Sequence, residues 1–345
     1  MVCSAPGKLI LTGEHSVVYG EPALIGAISL RTRVLARRHR DATISVSSLQ
    51  LGGCREETAD SLHQFLEKAE LALRDFEERG ELRQLERLRR DPYVVAKIAL
   101  GEVFDVLGKA SGGLRIRIDS KLPVGSGLGS SASVASAVIG TIGRLYDRRW
   151  NLDRVNALVY QTEKIMHGRP SGGDNTAVVY GGILRFRKIG RRFSFRRIGL
   201  AKGLLPKIIL VDSGRPTETT GEMVEGVKVK SQKSKVKSII RKMGKISRAF
   251  IHDYRNGEFS VNLIQDNERL LEELGVVGTR ARAMVRAIER LGGVAKISGA
   301  GGIREGSGIL IAYHHNVIKL RNFLVKKGWK PFPVRLGVEG IRCQA

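Results

Sequence analysis

The chain has 345 residues, of which 42% are hydrophobic and 27% charged. This is globular composition, which argues against a disordered chain, and the length predicts two packed domains. Lys and Arg number 59 against 34 Asp and Glu, a formal charge of +25. Such an excess favours anionic partners, namely nucleic acid, acidic membranes, nucleotides or anionic metabolites, unless it covers solvated helix faces.

The first third of the chain alternates predicted strands with helices. Residues 60–79 have helical periodicity, with Asp60 or Ser61 as N-cap and Gly80 as the stop signal. A further helical stretch breaks at Asp91-Pro92, because proline lacks an amide donor. Short strands are predicted from apolar runs or alternating polarity at 9–11, 43–46 and 113–120.

The middle of the chain contains an uncharged segment, 122–143, that is long enough to span a bilayer. Its first third is rich in glycine and serine, so it is interpreted as a glycine loop leading into a buried helix, 130–146. A second helix follows at 152–167 and ends at Gly168. A hairpin is predicted across Gly190.

The second half mixes helices with strands irregularly, so the predicted fold class is α+β. The predicted domains are 1–190 and 191–345, with the boundary near 185–205, where the composition becomes strongly basic. Helices are predicted at about 222–256, 262–274, 279–291 and 317–327, and strands at 207–212, 295–298, 308–313 and 332–342.

The three cysteines, Cys3, Cys54 and Cys343, are not spaced as metal ligands or as a redox pair. This pattern suits a reducing cytoplasm. Cys3 and Cys343 would meet only if the end strands were neighbours, which is not expected. The sequence start has no basic flank followed by an apolar run, so no secretory signal is predicted.

Residues 122–132 form a glycine loop before a helix, Leu-Pro-Val-Gly-Ser-Gly-Leu-Gly-Ser-Ser-Ala. Glycines let backbone amides approach phosphate oxygens, and a helix N-terminus adds free N–H groups and a positive dipole end. Ser130 and Ser131 are expected at cap positions, where a hydroxyl caps the helix or joins a magnesium shell. No Lys-Ser/Thr follows the glycines, and Ser130 stands where a dinucleotide fingerprint has its third glycine. A tight strand-to-helix turn remains the alternative.

Three further motifs carry candidate chemistry. Residues 5–20 place Lys8, Glu14 and His15 around a strand start, although solvated charges on a turn are equally compatible. Residues 163–175 bring two carboxylates, Glu163 and Asp174, near one helix end, which suits metal binding and proton acceptance. His167 and Asp174 have alternative interpretations as helix caps. Residues 296–302 are a strand running into a glycine turn, which faces phosphates or merely links a hairpin.

Together these motifs resemble the GHMP kinase superfamily and, within it, the mevalonate kinase family. The general motifs lie at 6–8, 123–132 and 298–302. The more specific ones are Gly-Glu-His-Ser-Val-Val-Tyr-Gly at 13–20 and His-Gly-Arg-Pro-Ser-Gly-Gly-Asp-Asn at 167–175, with 267–276 and 337–340 also similar. The resemblance covers nearly the whole chain and implies a GHMP kinase fold. Its N-terminal half would be like ribosomal protein S5 domain 2 and its C-terminal half ferredoxin-like.

The resemblance also implies roles for individual residues. Asp174 and Lys8 would be catalytic, and Ser131 and Glu163 would bind magnesium. The substrate would contact Glu14, His15, His167 and Thr219. ATP would be bound by Pro123, Gly125, Ser126, Gly127, Leu128, Gly129, Ser130, Ser131, Ala132 and Gly301. One departure from the family pattern is Ile303-Arg304-Glu305, which follows Gly302 where the family has a longer glycine run ending in cysteine. Two interpretations stay open: Arg304 contacts a phosphate, or the loop extends less far than it does in the family.

The implied reaction is ATP-dependent phosphorylation of mevalonate at its 5-hydroxyl, with magnesium, in the cytoplasm. Other GHMP acceptors, such as phosphomevalonate, homoserine or a sugar, are alternatives. A nucleic-acid binder would explain the lysines between 228 and 237, but not the coincidence of Lys8, Glu163 and Asp174 with a kinase pattern. No specific nucleic acid and no membrane are expected as partners, and a homodimer is compatible with the resemblance.

Overall fold

The computed structural model describes residues 1–108, 112–123, 125–190, 192–199 and 207–344. The twelve strands found in these ranges are β1 (Val2–Thr12), β2 (Ala23–His39), β3 (Ile44–Ser48), β4 (Cys54–Glu57), β5 (Gly113–Ser120), β6 (Ile183–Ile189), β7 (Arg192–Ile198), β8 (Ile208–Asp212), β9 (Val294–Ile297), β10 (Ile309–Tyr313), β11 (Pro331–Val334) and β12 (Arg342–Gln344).

The same ranges contain eleven α-helices and a short 3-10 helix, Ser16–Tyr19. The helices are α1 (Ala59–Arg79), α2 (Arg83–Arg89), α3 (Val94–Leu107), α4 (Ser130–Leu145), α5 (Leu152–His167), α6 (Gly173–Tyr180), α7 (Thr220–Lys230), α8 (Ser234–Arg255), α9 (Val261–Leu274), α10 (Thr279–Arg290) and α11 (Val317–Lys326).

The larger sheet has the order β12-β1-β2-β5-β3-β4 and is organised around the long strand β2. One edge of β2 pairs with β1; the other pairs first with β6, at residues 23–26, and then with β5, at residues 32–39. The predicted hairpin across Gly190 is confirmed as the antiparallel pair β6–β7. Strand β7 belongs to this sheet, so the larger sheet continues past residue 190. The predicted domain boundary remains a prediction. Residues 200–206 lie outside the described ranges.

Helix α4 lies in the core against β1 and β2. Its inner face carries small and apolar side chains, including Ala132, Ala135 and Ile139, that are fully buried. The uncharged segment 122–143 is therefore a loop followed by a core helix, as the glycines predicted. Among the described helices, none is both long and apolar enough to cross a bilayer.

The smaller sheet is antiparallel throughout, with the order β11-β8-β10-β9. One apolar cluster packs helices α7 to α11 against it. A second cluster joins the two sheets, because Leu9 and Leu11 of β1 are buried together with Leu210 of β8, Ile311 of β10 and Phe250 of α8. The two halves of the chain therefore share a hydrophobic interface.

Three boundary predictions are wrong in detail. The N-cap of α1 is Thr58, whose hydroxyl accepts from the amide of Ser61 at 3.0 Å, rather than Asp60 or Ser61. The basic stretch predicted as one helix is divided into α7 and α8 at residues 231–233. The strand predicted at 332–342 is two short strands, β11 and β12, that belong to different sheets.

The expectation that Cys3 and Cys343 stay apart is also wrong. Strands β1 and β12 are antiparallel neighbours with Cys3 opposite Cys343, and a disulfide joins the two residues across a sequence separation of 340. A spacing rule based on nearby cysteines cannot detect this pair, because strand pairing creates the proximity. Cys54 is free and exposed.

Candidate active site

The glycine loop lies at the N-terminus of α4, beside the strand that carries Lys8. Gly125, Gly127 and Gly129 have positive φ angles of 71°, 78° and 69°, which side-chain-bearing residues rarely adopt. The carbonyl of Leu128 accepts a 2.9 Å hydrogen bond from the amide of Lys8. The loop is thereby fixed against β1, with the first free amides of α4 behind it.

The cap of α4 differs from the prediction. Gly129 occupies the N-cap position, and no side chain caps this helix. Ser130 and Ser131 are instead the first two helical residues, and both are partly exposed. Their hydroxyls therefore remain available to a ligand in the loop.

Lys8 and Asp174 meet next to this loop. Lys8 Nζ lies 3.1 Å from Asp174 Oδ1, with the lysine side chain 5% and the aspartate side chain 34% exposed. Asp174 is in the first turn of α6, whose N-cap Gly172 is left-handed with φ 85°. A Cβ on Gly129 would come within 2.9 Å of Lys8 Cγ, so the loop glycine leaves room for the lysine. The two residues are 166 positions apart in the sequence, and the family resemblance implied that they would be neighbours.

A second carboxylate, Glu163 on α5, is buried behind Asp174. Its Oε2 lies 3.6 Å from His167 Nε2, and His167 Nε2 lies 3.5 Å from Ser131 Oγ. Burial raises the pKa of Glu163, with Asp174 adding to the rise and His167, Ser131 and Lys8 opposing it. Its Oε1 is buried without a hydrogen-bond partner. The structure thus brings together five of the predicted site residues: Lys8, Ser131, Glu163, His167 and Asp174.

The segment after β1 turns into the molecule. Glu14 and His15 are 2% and 4% exposed, and His15 has the unusual φ of 52°. His15 Nε2 is 2.9 Å from the carbonyl oxygen of Ala300, in the third glycine motif. Burial is the main cause that lowers the pKa of His15. These two residues therefore face the C-terminal half.

Comparisons with known proteins agree with this geometry. Residues 93–182 match the family model described as the GHMP kinases N terminal domain. The mevalonate kinase of Archaeoglobus fulgidus is 31% identical over 309 residues, which cover 88% of this chain and 89% of that protein. The chain belongs to the mevalonate kinase family.

Two other members of the family match over almost their full lengths. The mevalonate kinase of Thermococcus gammatolerans is 28% identical, covering 100% of this chain and 98% of that protein. The crystal structure of the Methanococcus jannaschii mevalonate kinase superposes with a TM-score of 0.79 at 25% identity, covering 98% of both chains. The predicted α+β GHMP kinase fold is therefore confirmed.

Three residues of the mevalonate kinase pattern have structural contacts that their predicted roles did not include. Thr219 is the N-cap of α7: its hydroxyl accepts from the amide of Glu222 and donates to the carboxylate of the same residue. Gly301 packs on the turn after α9, where a Cβ would meet the carbonyl of Val276 at 2.0 Å. Their assigned roles, substrate contact and ATP contact, remain predictions.

The third residue is Arg304, in the departure from the family's glycine run. Its carbonyl accepts a 2.9 Å hydrogen bond from the amide of Thr279, at the start of α10. The neighbouring Glu305 carbonyl accepts from the amide of Arg280 at 3.1 Å. The altered segment therefore supports a helix start through its backbone, and the Arg304 side chain is exposed.

Sequence reasoning missed two cations at the site. Arg215 follows β8, and its guanidinium lies over Gly125, with Nε 3.5 Å from where a Cβ would be. Lys296 is fully buried in β9 and forms an ion pair with Glu14. Arg215 had no distinguishing signal among 59 cations, whereas a lysine inside the apolar run Val-Ala-Lys-Ile was a visible sign of a buried partner.

Proposed function

We propose that this enzyme transfers the γ-phosphate of ATP to the 5-hydroxyl of mevalonate, giving 5-phosphomevalonate and ADP. The observation that carries the proposal is the contact between Lys8 and Asp174 at the mouth of the glycine loop. This contact supplies a proton acceptor and a cation at one point. Membership of the mevalonate kinase family indicates mevalonate as the substrate that receives the phosphoryl group. We assign the reaction to the cytoplasm, where ATP is available.

Asp174 is the proposed proton acceptor for the attacking hydroxyl. Its carboxylate is one-third exposed and can reach a ligand, whereas the neighbouring Glu163 is buried. Lys8 holds Asp174 in place and lies where negative charge develops on the nucleophile and the transferred phosphoryl group. Phosphoryl transfer depends mainly on positioning and on such charge stabilisation.

The glycine loop is the proposed cradle for the ATP phosphates. Its glycines have positive φ angles, and the loop leads into the N-terminus of α4, where the first backbone amides are free to bind phosphate oxygens. The guanidinium of Arg215 lies over Gly125 and adds a cation next to the loop. We therefore expect Arg215, together with the loop, to neutralise the phosphate charge.

Magnesium is the proposed metal, and the donor set fits it. Mg²⁺ is usually held by one or two protein oxygens together with substrate phosphates and water. Glu163 offers an oxygen that has no hydrogen-bond partner, and the Ser131 hydroxyl lies beside it. Bound there, the ion would supply charge neutralisation between the phosphates, while Glu163 and Ser131 fix its place.

An acceptor panel tests the proposed function. Purified enzyme is incubated with ATP and Mg²⁺ and with mevalonate, phosphomevalonate, homoserine or galactose, and ADP release is followed together with phosphorus NMR of the product. We expect rapid turnover only with mevalonate and a phosphomonoester on its primary alcohol. Turnover of another acceptor with no reaction of mevalonate would refute the assignment of the substrate.

A further inference from the structure

The carboxylate of Glu14 is fully occupied by residues of the C-terminal half. One oxygen forms an ion pair with Lys296 Nζ, and the other accepts a 3.1 Å hydrogen bond from Asn267 Nδ2. The side chains of Glu14 and Lys296 are both 0% exposed. A small-molecule acceptor therefore meets neither charged group, although the family resemblance suggested Glu14 as a substrate contact.

Lys296 is also positioned by contacts within the C-terminal half. Its ammonium group also donates a 2.6 Å hydrogen bond to the carbonyl of Ile297, and the amide of Ile297 donates to Glu268 Oε2 at 2.9 Å. Glu268 follows Asn267 on α9, so one helix supplies both supports. Burial raises the pKa of Glu268 to about 7, with the hydrogen bond from Ile297 and the charge of Lys296 opposing the rise.

His15, the next residue along the chain, is fixed by the same interface. A carbonyl oxygen can only accept, so the 2.9 Å contact with Ala300 requires a proton on His15 Nε2. Nδ1 is then an acceptor, and it has no hydrogen-bond partner among the described residues. The backbone of His15 has the positive φ of 52°, a conformation that a side-chain-bearing residue keeps only where surrounding contacts hold it.

We infer that Glu14 and Lys296 form a clasp between the two halves that positions the turn carrying His15, and that Glu14 does not bind the acceptor. Lys296 and Asn267 are positioning residues on this view. The inference deepens the proposed function and rests on it, because the turn is relevant only if the acceptor binds beside it.

The physical basis is the cost of an isolated buried charge. A buried ion pair contributes little net stability, but removal of one partner leaves an uncompensated charge and is strongly destabilising. Removal of both charges avoids that penalty. A double-mutant cycle therefore distinguishes a clasp from two independent functional groups.

The experiment compares Lys296→Met, Glu14→Gln and the double variant with wild type, in kcat, in KM for mevalonate and for ATP, and in Tm. We expect Lys296→Met to raise KM for mevalonate at least about tenfold, with KM for ATP within about twofold. The double variant should have a higher Tm than either single variant and recover about tenfold in kcat/KM over Lys296→Met. A double variant no better than Glu14→Gln would show that Glu14 acts directly on the acceptor and would overturn the inference.

Two further variants keep the test decisive. Lys97→Met removes a mostly buried lysine outside the site, whose Nζ lies 2.7 Å from Glu57 Oε1 and 3.0 Å from Asp91 Oδ2. This variant should lower Tm and leave KM for mevalonate and KM for ATP unchanged. If Lys296→Met does not fold, Asn267→Ala removes only one donor to Glu14 and should raise KM for mevalonate alone. An unchanged KM in that variant would count against the clasp.

Failure of the proposed function is separable from failure of the clasp. Wild-type turnover of mevalonate is measured first, which tests the function alone. The Tm cycle then tests the coupling of the two charges whatever the acceptor is. Coupling without an acceptor-specific effect on KM would make the pair purely structural and reject its positioning role.

Discussion

Asp174 and Glu163 are two carboxylates close to one lysine, and their different surroundings support the different roles proposed for them. Asp174 is partly exposed and contacts Lys8 directly, whereas Glu163 is buried and its pKa is raised. A proton acceptor must reach the substrate, while a metal ligand need only reach the ion. The difference in exposure is therefore the reason for proposing Asp174 as the proton acceptor and Glu163 as the metal ligand.

We predict that Asp174→Asn lowers kcat by about 10²–10⁴-fold, as expected for loss of a general base. The amide keeps the size of the side chain, so Tm and the circular dichroism spectrum should stay close to wild type. Asp60→Asn is the matched control, because Asp60 also lies in the first turn of a helix but is exposed and distant in the sequence. Near-native turnover in Asp174→Asn would remove this residue from the mechanism.

For Glu163→Gln we expect a requirement for about tenfold or more Mg²⁺ at half-maximal rate, since an anionic ligand is lost. The readout is a magnesium titration at saturating ATP. Ser131→Ala should shift the titration less, because it removes a neutral ligand. Superimposable titrations for Glu163→Gln and wild type would exclude this carboxylate from the metal site.

The family resemblance predicted Lys8 and Asp174 as a catalytic pair, which remains a prediction, but it did not predict the contact between Glu14 and Lys296, for a physical reason. Lys8 and Asp174 each lie in a motif whose residue types suggest chemistry. Glu14 and Lys296 are 282 positions apart, and only the packing of the two halves makes them neighbours. Local patterns indicate that a buried lysine needs a partner, but they do not identify it.

Among the structural elements, the loop before α4 constrains residue type at Gly129. Gly129 has φ 69°, and a Cβ there would meet the side chain of Lys8 at 2.9 Å. We predict that Gly129→Ala reduces kcat/KM for ATP at least about tenfold, because it displaces Lys8 and distorts the loop. Steady-state kinetics at varied ATP provide the measurement.

Gly52→Ala is the control for that substitution. Gly52 has a similar φ of 71°, but a Cβ there meets nothing within 4 Å. Both variants should lose about 1 kcal/mol of stability from the left-handed backbone alone. Equal activity in the two variants would show that the clash with Lys8 has no functional weight.

Helix α3 carries a buried carboxylate whose ionisation opposes folding. Burial, reinforced by Glu70 and Asp105, raises the pKa of Glu102 to about 7. The raised pKa means that the folded state binds the Glu102 proton more tightly than the unfolded chain does. The stability associated with this protonated carboxyl is fully present below about pH 4.5 and is lost as the pH rises through 7. Glu102→Gln should therefore gain about 2–3 kcal/mol over wild type at pH 8 and almost nothing at pH 4.

Urea unfolding at the two pH values measures this effect. Glu78→Gln, an exposed substitution on α1, serves as the control and should follow wild type at both. If Glu102→Gln changed the free energy of unfolding equally at pH 4 and pH 8, burial would not be raising the pKa of Glu102.

Helices were predicted better than their ends or the strand pairings. Helix α5 was located at its observed bounds because apolar residues recur at helical spacing and Gly168 stops it. The cap of α1 was misplaced because Thr58, Asp60 and Ser61 are all good capping residues and only the backbone decides among them. Strand β12 was not separated from β11 in the prediction of one strand at 332–342, because its three residues have no pattern of their own and are defined by pairing with β1.

At the scale of the whole molecule, the disulfide Cys3–Cys343 closes almost the entire chain into a loop. Loop-closure entropy gives such a bond about 5 kcal/mol, mostly by restricting the unfolded state. Cys3→Ser should therefore lower Tm by about 5–10 °C under oxidising conditions. Thermal unfolding with and without reductant provides the measurement.

Cys54→Ser is the matched control, since this cysteine is exposed and is not part of a disulfide. It should leave Tm unchanged, and reductant should bring wild type down to the level of Cys3→Ser. A wild-type Tm that does not respond to complete reduction would show that the bond contributes nothing to stability.

The pairing of β12 with β1 has a consequence for biosynthesis on the ribosome. Strand β1 is translated before β12, the strand that pairs with its outer edge, and Cys3 and Cys343 in these strands are separated by 340 positions. During translation that edge presents unpaired amides and carbonyls, which favour association with other nascent polypeptides. Synthesis of β12 therefore both covers this edge and brings Cys343 within reach of Cys3.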